Sequence, residues 1–147
     1  MPTKKKKQEY KIEPSEYRSM LKAMQLEGIW LEECSAKLRK DRAADKSQVE
    51  VSVTDKLSYE ILSENLLNIV HSFELVATPG DKKEYVLKIL STFKLRYRSE
   101  VSLSEDFVEI FKNRNVPVNT WPYFREFIQN MTQRMNLPAL TLPLLKP

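Results

Sequence analysis

Val118-Asn-Thr-Trp-Pro-Tyr-Phe-Arg-Glu-Phe-Ile-Gln-Asn-Met-Thr-Gln-Arg-Met-Asn-Leu-Pro-Ala-Leu-Thr-Leu-Pro143 reads as one helix followed by an apolar exit. Trp121, Phe124, Ile128, Met131 and Met135 recur at steps of three, four, three and four, which is one side of an α-helix. Tyr123 and Phe127 make a second ridge beside the first, and Arg125, Gln129 and Thr132 point the other way. Asn119 or Thr120 is expected to cap the start, with Pro122 in the first turn, where its missing N–H costs nothing. Pro138 is expected to stop the helix. The extended tail Ala139-Leu-Thr-Leu-Pro143 then needs a surface to receive it.

Upstream, Ser102-Leu-Ser-Glu-Asp-Phe-Val-Glu-Ile-Phe-Lys-Asn113 predicts another helix. Ser102 or Ser104 caps it, and the acids of its first turn favour the positive helix end. Leu103, Phe107, Ile110 and Phe111 form its apolar face, and residues 113–117 form a loop before the Trp121 helix. Four long strand-like segments precede this pair, over about 26–40, 49–61, 67–77 and 85–97. The second alternates Val49, Val51, Val53, Leu57, Tyr59 and Ile61 with polar residues. The fourth alternates Tyr85, Leu87, Ile89, Phe93, Leu95 and Tyr97 with Lys88, Thr92, Lys94, Arg96 and Arg98. Period two over such lengths predicts antiparallel strands with one apolar and one wet face. Their short connections predict a meander. Pro14 to Gln25 reads as a further short helix, capped by Ser15, with Tyr17, Met20, Leu21 and Met24 on one face. Residues 1–13 are polar, include Lys4-Lys5-Lys6-Lys7, and are expected to be a disordered basic tail. Residues 14–147 are then one α+β domain: a four-stranded antiparallel meander sheet, two C-terminal helices on one face, and an extra N-terminal helix.

Two motifs together resemble the C-terminal signature of the SecB family of export chaperones. They are Trp121-Pro122-Tyr123-Phe124-Arg125-Glu126 and the exit Leu137-Pro138-Ala139-Leu140-Thr141-Leu142-Pro143. Four strands followed by two helices is also that family's order, so the resemblance spans about residues 26–143. The Pro14 helix has no counterpart in the pattern. The resemblance implies a cytoplasmic, ATP-independent chaperone without cofactors, assembled as a dimer or a dimer of dimers. Its client would be an unfolded preprotein destined for the translocase motor, or an aggregation-prone antitoxin. Export members carry an acidic outer sheet. Here Glu50, Glu60 and Glu74 are mixed with Lys56, Lys88, Lys94, Arg96 and Arg98.

The residues themselves point to the same class. A chaperone that holds extended chains needs exposed apolar grooves, and each side chain buried there contributes about 1.5–3 kcal/mol. Candidate client-binding residues are Trp30, Phe107, Phe111, Trp121, Tyr123, Phe124, Phe127, Leu140 and Leu142. Trp121, Phe124, Ile128, Met131 and Met135 are candidates for subunit pairing.

Composition removes other classes. With only Gly28 and Gly80 there is no glycine-rich phosphate cradle. One cysteine, Cys34, and one histidine, His71, exclude the usual zinc spacings. No run of about 18 apolar residues predicts a membrane span. No nucleophile, base and oxyanion set is visible, so no enzyme is expected; His71 reads as a core or interface histidine. The formal charge of +4 and the stripe Lys88, Lys94, Arg96 and Arg98 raise nucleic acid as a ligand. Phe93 and Tyr97 lie on the opposite face from that stripe, which counts against a stacking platform. The remaining alternative is a non-chaperone interaction module on the same fold.

Overall fold

From Leu67 to Pro79 every odd position of one strand is buried, and this alternation sets the frame of the molecule. The computed structural model describes residues 12–39, 49–79, 84–138 and 140–143. The expected basic tail, apart from Ile12 and Glu13, lies outside them. The elements are α1 (Pro14–Lys22), β1 (Met24–Leu38), β2 (Val49–Ser63), β3 (Leu66–Pro79), β4 (Leu87–Ser99), α2 (Glu105–Arg114) and α3 (Val116–Arg134). The architecture is α+β, as the sequence predicts: an antiparallel four-stranded sheet with its helices on one face.

The expected meander holds for β2, β3 and β4 only. The strand order is β1-β4-β3-β2, so β1 docks beside β4 and the topology is a Greek key. The physical reason lies in β4, which is buried at every odd position and would otherwise leave a buried strand as an edge. The two strands left at the edges, β1 and β2, are the ones with mostly exposed side chains.

The core falls into two halves. Phe107, Val108 and Phe111 of α2 and Val116 at the start of α3 pack over Leu67, Ile69, Leu95 and Tyr97, and α1 closes the side with Tyr17, Met20 and Leu21. Phe124 and Ile128 of α3 pack over Phe73, Leu75, Ile89 and Phe93. Ser104, one of the two expected caps, accepts a hydrogen bond from the Phe107 amide at 3.2 Å.

Three expected boundaries move. Ser15 does not cap α1; Pro14 opens it after Glu13, with no side-chain cap. The expected loop at 113–117 shrinks to a single break at Asn115. α3 begins there because Pro117 is tolerated in a first turn. Asn119 and Thr120 therefore lie inside α3 rather than capping it, and Pro122 is interior. Pro122 leaves the Val118 carbonyl without its helical donor. Val118 is 61% exposed, and the buried contacts of Phe124 and Ile128 outweigh the loss.

At its other end α3 closes before Pro138. Asn136 is left-handed, at φ 58°. The Asn136 and Leu137 amides bond to the Gln133 and Thr132 carbonyls, each at 3.0 Å, which is a Schellman cap. Residues 140–143 then run back along α3. The Leu140 amide donates to Thr132 Oγ1 at 3.1 Å, Arg125 Nε to the Leu142 carbonyl at 2.9 Å, and Trp121 Nε1 to the Pro143 carbonyl at 2.9 Å. The apolar exit is thus received by its own helix.

Candidate binding surface

The helices cover the inner face of β3 and β4 and leave part of both edge strands open. On β1 the open part is shaped by two bulges. The register against β4 slips between Leu26 and Gly28 and again between Leu31 and Glu33. Glu27 and Glu32 are the extra residues, and each resets which face the next residues take. Met24, Leu26, Ile29, Leu31, Cys34, Ala36 and Leu38 consequently all stand opposite inward-facing residues of β4. Leu26 and Leu31 remain 37% and 41% exposed there, and Cys34 is exposed.

α3 supplies the facing wall. Tyr123 and Phe127 meet the Phe93 ring edge-on at 6.4 and 6.5 Å, and Phe93 is the β4 partner of Leu31 on β1. Tyr123 is 49% exposed. At the far end Leu26, Met24 and Leu21 face Val118 and Asn119 across a cavity of about 230 Å³. The result is an open apolar groove between edge strand β1 and helix α3. On the opposite side of α3, Val49 and Val51 of β2 are exposed on the same sheet face.

The sequence candidates divide. Tyr123 and Phe127 line the β1 groove. Trp121 and Leu140 are partly buried on the β2 side, against Phe73 and the C-terminal segment. Phe107, Phe111, Phe124 and Leu142 are core: Phe107 and Phe124 are fully buried, and Phe124 stacks on Phe73 at 4.3 Å. Trp30 is on the outer sheet face, opposite Lys94, with its ring over Gly28, and so is apart from the groove. Of the pairing candidates, Phe124 and Ile128 are buried and Trp121, Met131 and Met135 pack on the same core. Much of the face expected to meet another subunit thus packs on this chain's own sheet, with Trp121, Met131 and Met135 only partly covered. Leu26, Leu31 and Val118 are groove residues that sequence reasoning passed over. The available signal was the run Ile29-Trp30-Leu31, which breaks period two.

His71 is fully buried between the two half-cores. Its Nε2 lies 2.8 Å from Asp55 Oδ2 and its Nδ1 2.6 Å from Thr120 Oγ1. A neutral ring donates Nε2–H to Asp55 and accepts the Thr120 hydroxyl at Nδ1. When the ring is protonated, Nδ1 donates to Thr120, whose hydroxyl can turn to the Val116 carbonyl at 3.0 Å. Burial pushes the His71 pKa down, opposed by the hydrogen bond and charge of Asp55. The order acid, imidazole, hydroxyl looks like a catalytic relay, but Thr120 is fully buried inside the core and no substrate reaches it. The trio is a tie between β2, β3 and α3. Among the described residues no cluster suited to a metal ion occurs, and no helix is long and apolar enough to cross a membrane.

The sheet order, the single helical layer and the returning exit segment define the SecB-like fold, and the chain has it. The solved structure of the Mycobacterium tuberculosis SecB-like chaperone Rv1957, in complex with a ChAD peptide from the HigA1 antitoxin Rv1956, superposes with a TM-score of 0.75. The match covers 87% of this chain and 95% of that one at 18% identity. A protein of unknown function from Streptococcus agalactiae overlaps at a TM-score of 0.40 and 15% identity, over 82% and 97% of the two chains, and carries no weight here. No protein-family model and no curated protein matches the sequence.

Proposed function

We propose that this protein is an ATP-independent chaperone that holds an unfolded, aggregation-prone client, and that the client is a dedicated one such as an antitoxin. The observation that carries the reading is the open apolar groove of Leu26, Leu31, Val118, Tyr123 and Phe127 on a SecB-like fold. A contiguous exposed apolar strip of this kind marks an interaction site. The Mycobacterium tuberculosis neighbour binds an antitoxin peptide, which supports the choice of client class. Two or three apolar side chains seated in the groove contribute about 1.5–3 kcal/mol each, so one groove binds weakly. Linked grooves on a dimer or tetramer raise the affinity through effective concentration. Holding the unfolded client then lowers its aggregation by mass action. The open β1 edge beside the groove offers a place for subunits to pair. Delivery to a translocase motor through an acidic sheet is less well supported. On the outer face Lys88 pairs with Glu74 and Lys94 with Glu32, each at 3.7 Å, and Arg98 pairs with Glu27, so that face is charge-balanced. The same balance disfavours a nucleic-acid platform. We place the protein in the cytoplasm, beside its client.

The test is suppression of aggregation of a chemically unfolded model protein. Stoichiometric wild-type protein should suppress light scattering, and Tyr123→Glu with Leu31→Glu should lose that effect while keeping the fold. Absence of suppression by the wild type overturns the reading.

A further inference from the structure

The N-terminal helix, for which the resemblance offers no counterpart, closes one side of a second cleft. Between α1 and α2 lies a cavity of about 600 Å³, within the range of ligand sites. Its apolar walls are Ile12, Pro14 and Ile110, and Arg18 and Arg114 stand at its rim. Arg18 and Arg114 are exposed, and among the described residues neither has an ion-pair partner. The acids Glu13 and Glu16 of α1 are exposed but do not line it.

The chemistry of the lining selects a ligand. Two guanidiniums above an apolar floor fit a carboxylate attached to an apolar side chain, since arginine forks onto carboxylates. Stacked bases are disfavoured, because the one aromatic ring here is already occupied. Tyr17 packs on Phe107 at 5.3 Å between centroids, and its hydroxyl donates to Asn115 Oδ1. That bond also fixes α1 to the junction of α2 and α3, so the cleft is preformed.

We propose that the α1–α2 cleft is a second client site that takes an acidic segment, seating an aliphatic or aromatic side chain between Ile12 and Ile110 and clamping a neighbouring aspartate or glutamate with Arg18 and Arg114. The proposal deepens the chaperone reading and rests on it: the β1–α3 groove holds greasy sequence and this cleft selects acidic flanks.

A short fluorescein-labelled peptide alternating leucine and aspartate, titrated by anisotropy into the full chain, tests it. The peptide should bind, and the same peptide with lysine for aspartate should not. Arg18→Gln with Arg114→Gln should weaken binding about tenfold or more and remove most of its salt dependence. Ile110→Ala should weaken it severalfold without changing that dependence. Both variants should keep the wild type's aggregation suppression, because their sites are away from Tyr123 and Leu31. Unchanged peptide affinity in the arginine variant overturns the cleft while leaving the groove reading intact. Failure of the wild type to suppress aggregation overturns the groove reading instead. Displacement of the peptide by a single-stranded oligonucleotide would make this a phosphate site and overturn the choice of ligand.

Discussion

Phe124 and Tyr123 are neighbours in sequence and opposite in role. Phe124 is fully buried and stacked on Phe73, so Phe124→Ala should cost about 3–5 kcal/mol in denaturant unfolding. Tyr123→Ala, half exposed, should stay within about 0.5 kcal/mol of wild type in the same measurement. A similar loss for both would mean that the ring stack is not what anchors α3. His71 carries the pH prediction. Its folded-state pKa lies below the usual value near 6.5, so on acidification the unfolded chain binds the proton first. Stability from this residue is therefore fully present above about pH 6.5 and falls as the pH drops through the lowered value. His71→Gln should flatten that slope in unfolding curves measured across the window. A slope that persists in the variant assigns the dependence elsewhere.

At the scale of elements, the C-terminal segment behaves as a strap on α3. Three hydrogen bonds hold it, from Trp121, Arg125 and the Leu140 amide, and Leu142 is buried beneath it. Arg125→Gln should speed hydrogen exchange at the Leu140 amide by roughly tenfold, the loss of about 1–1.5 kcal/mol expected for a charged hydrogen bond partly open to water. Exchange at wild-type rates would show that Leu142 alone holds the strap. Strand β1 is the other decisive element. Its two bulges turn Leu26 and Leu31 toward α3 and send Trp30 to the opposite face. Deleting Glu32 should remove the second bulge and leave Cys34, Ala36 and Leu38 on their present face, because Leu31 and Glu33 already pair with consecutive residues of β4. The deletion variant should unfold near the wild type's denaturation midpoint, whereas a midpoint lowered by several kcal/mol would show that the bulge itself is needed to seat β1.

For the whole molecule, the edge strands and the exposed strip beside α3 are surfaces this chain does not cover by itself. Tyr123→Glu with Leu31→Glu should lower the mass in light scattering to that of one chain, if the strip also joins subunits. An unchanged assembly would place the subunit contact elsewhere, on the β2 edge or the outer face. The Trp121, Met131 and Met135 side of α3 is partly buried against the chain's own core.

Residue spacing by itself determined the helix and strand types, the single helical layer and most of the inward-facing set. The alternation of β3 and β4 and the three-four spacing from Trp121 to Met135 are local, and burial enforces them whatever their neighbours. The motifs from Trp121 to Pro143 likewise carried the likeness to SecB. Tertiary structure alone decided the place of β1, the face shown by Trp30, the partner of the Trp121 ridge and the cleft beneath α1. Strand order, bulges and helix-on-sheet docking depend on residues far apart in the chain, where no local period records which apolar surfaces meet.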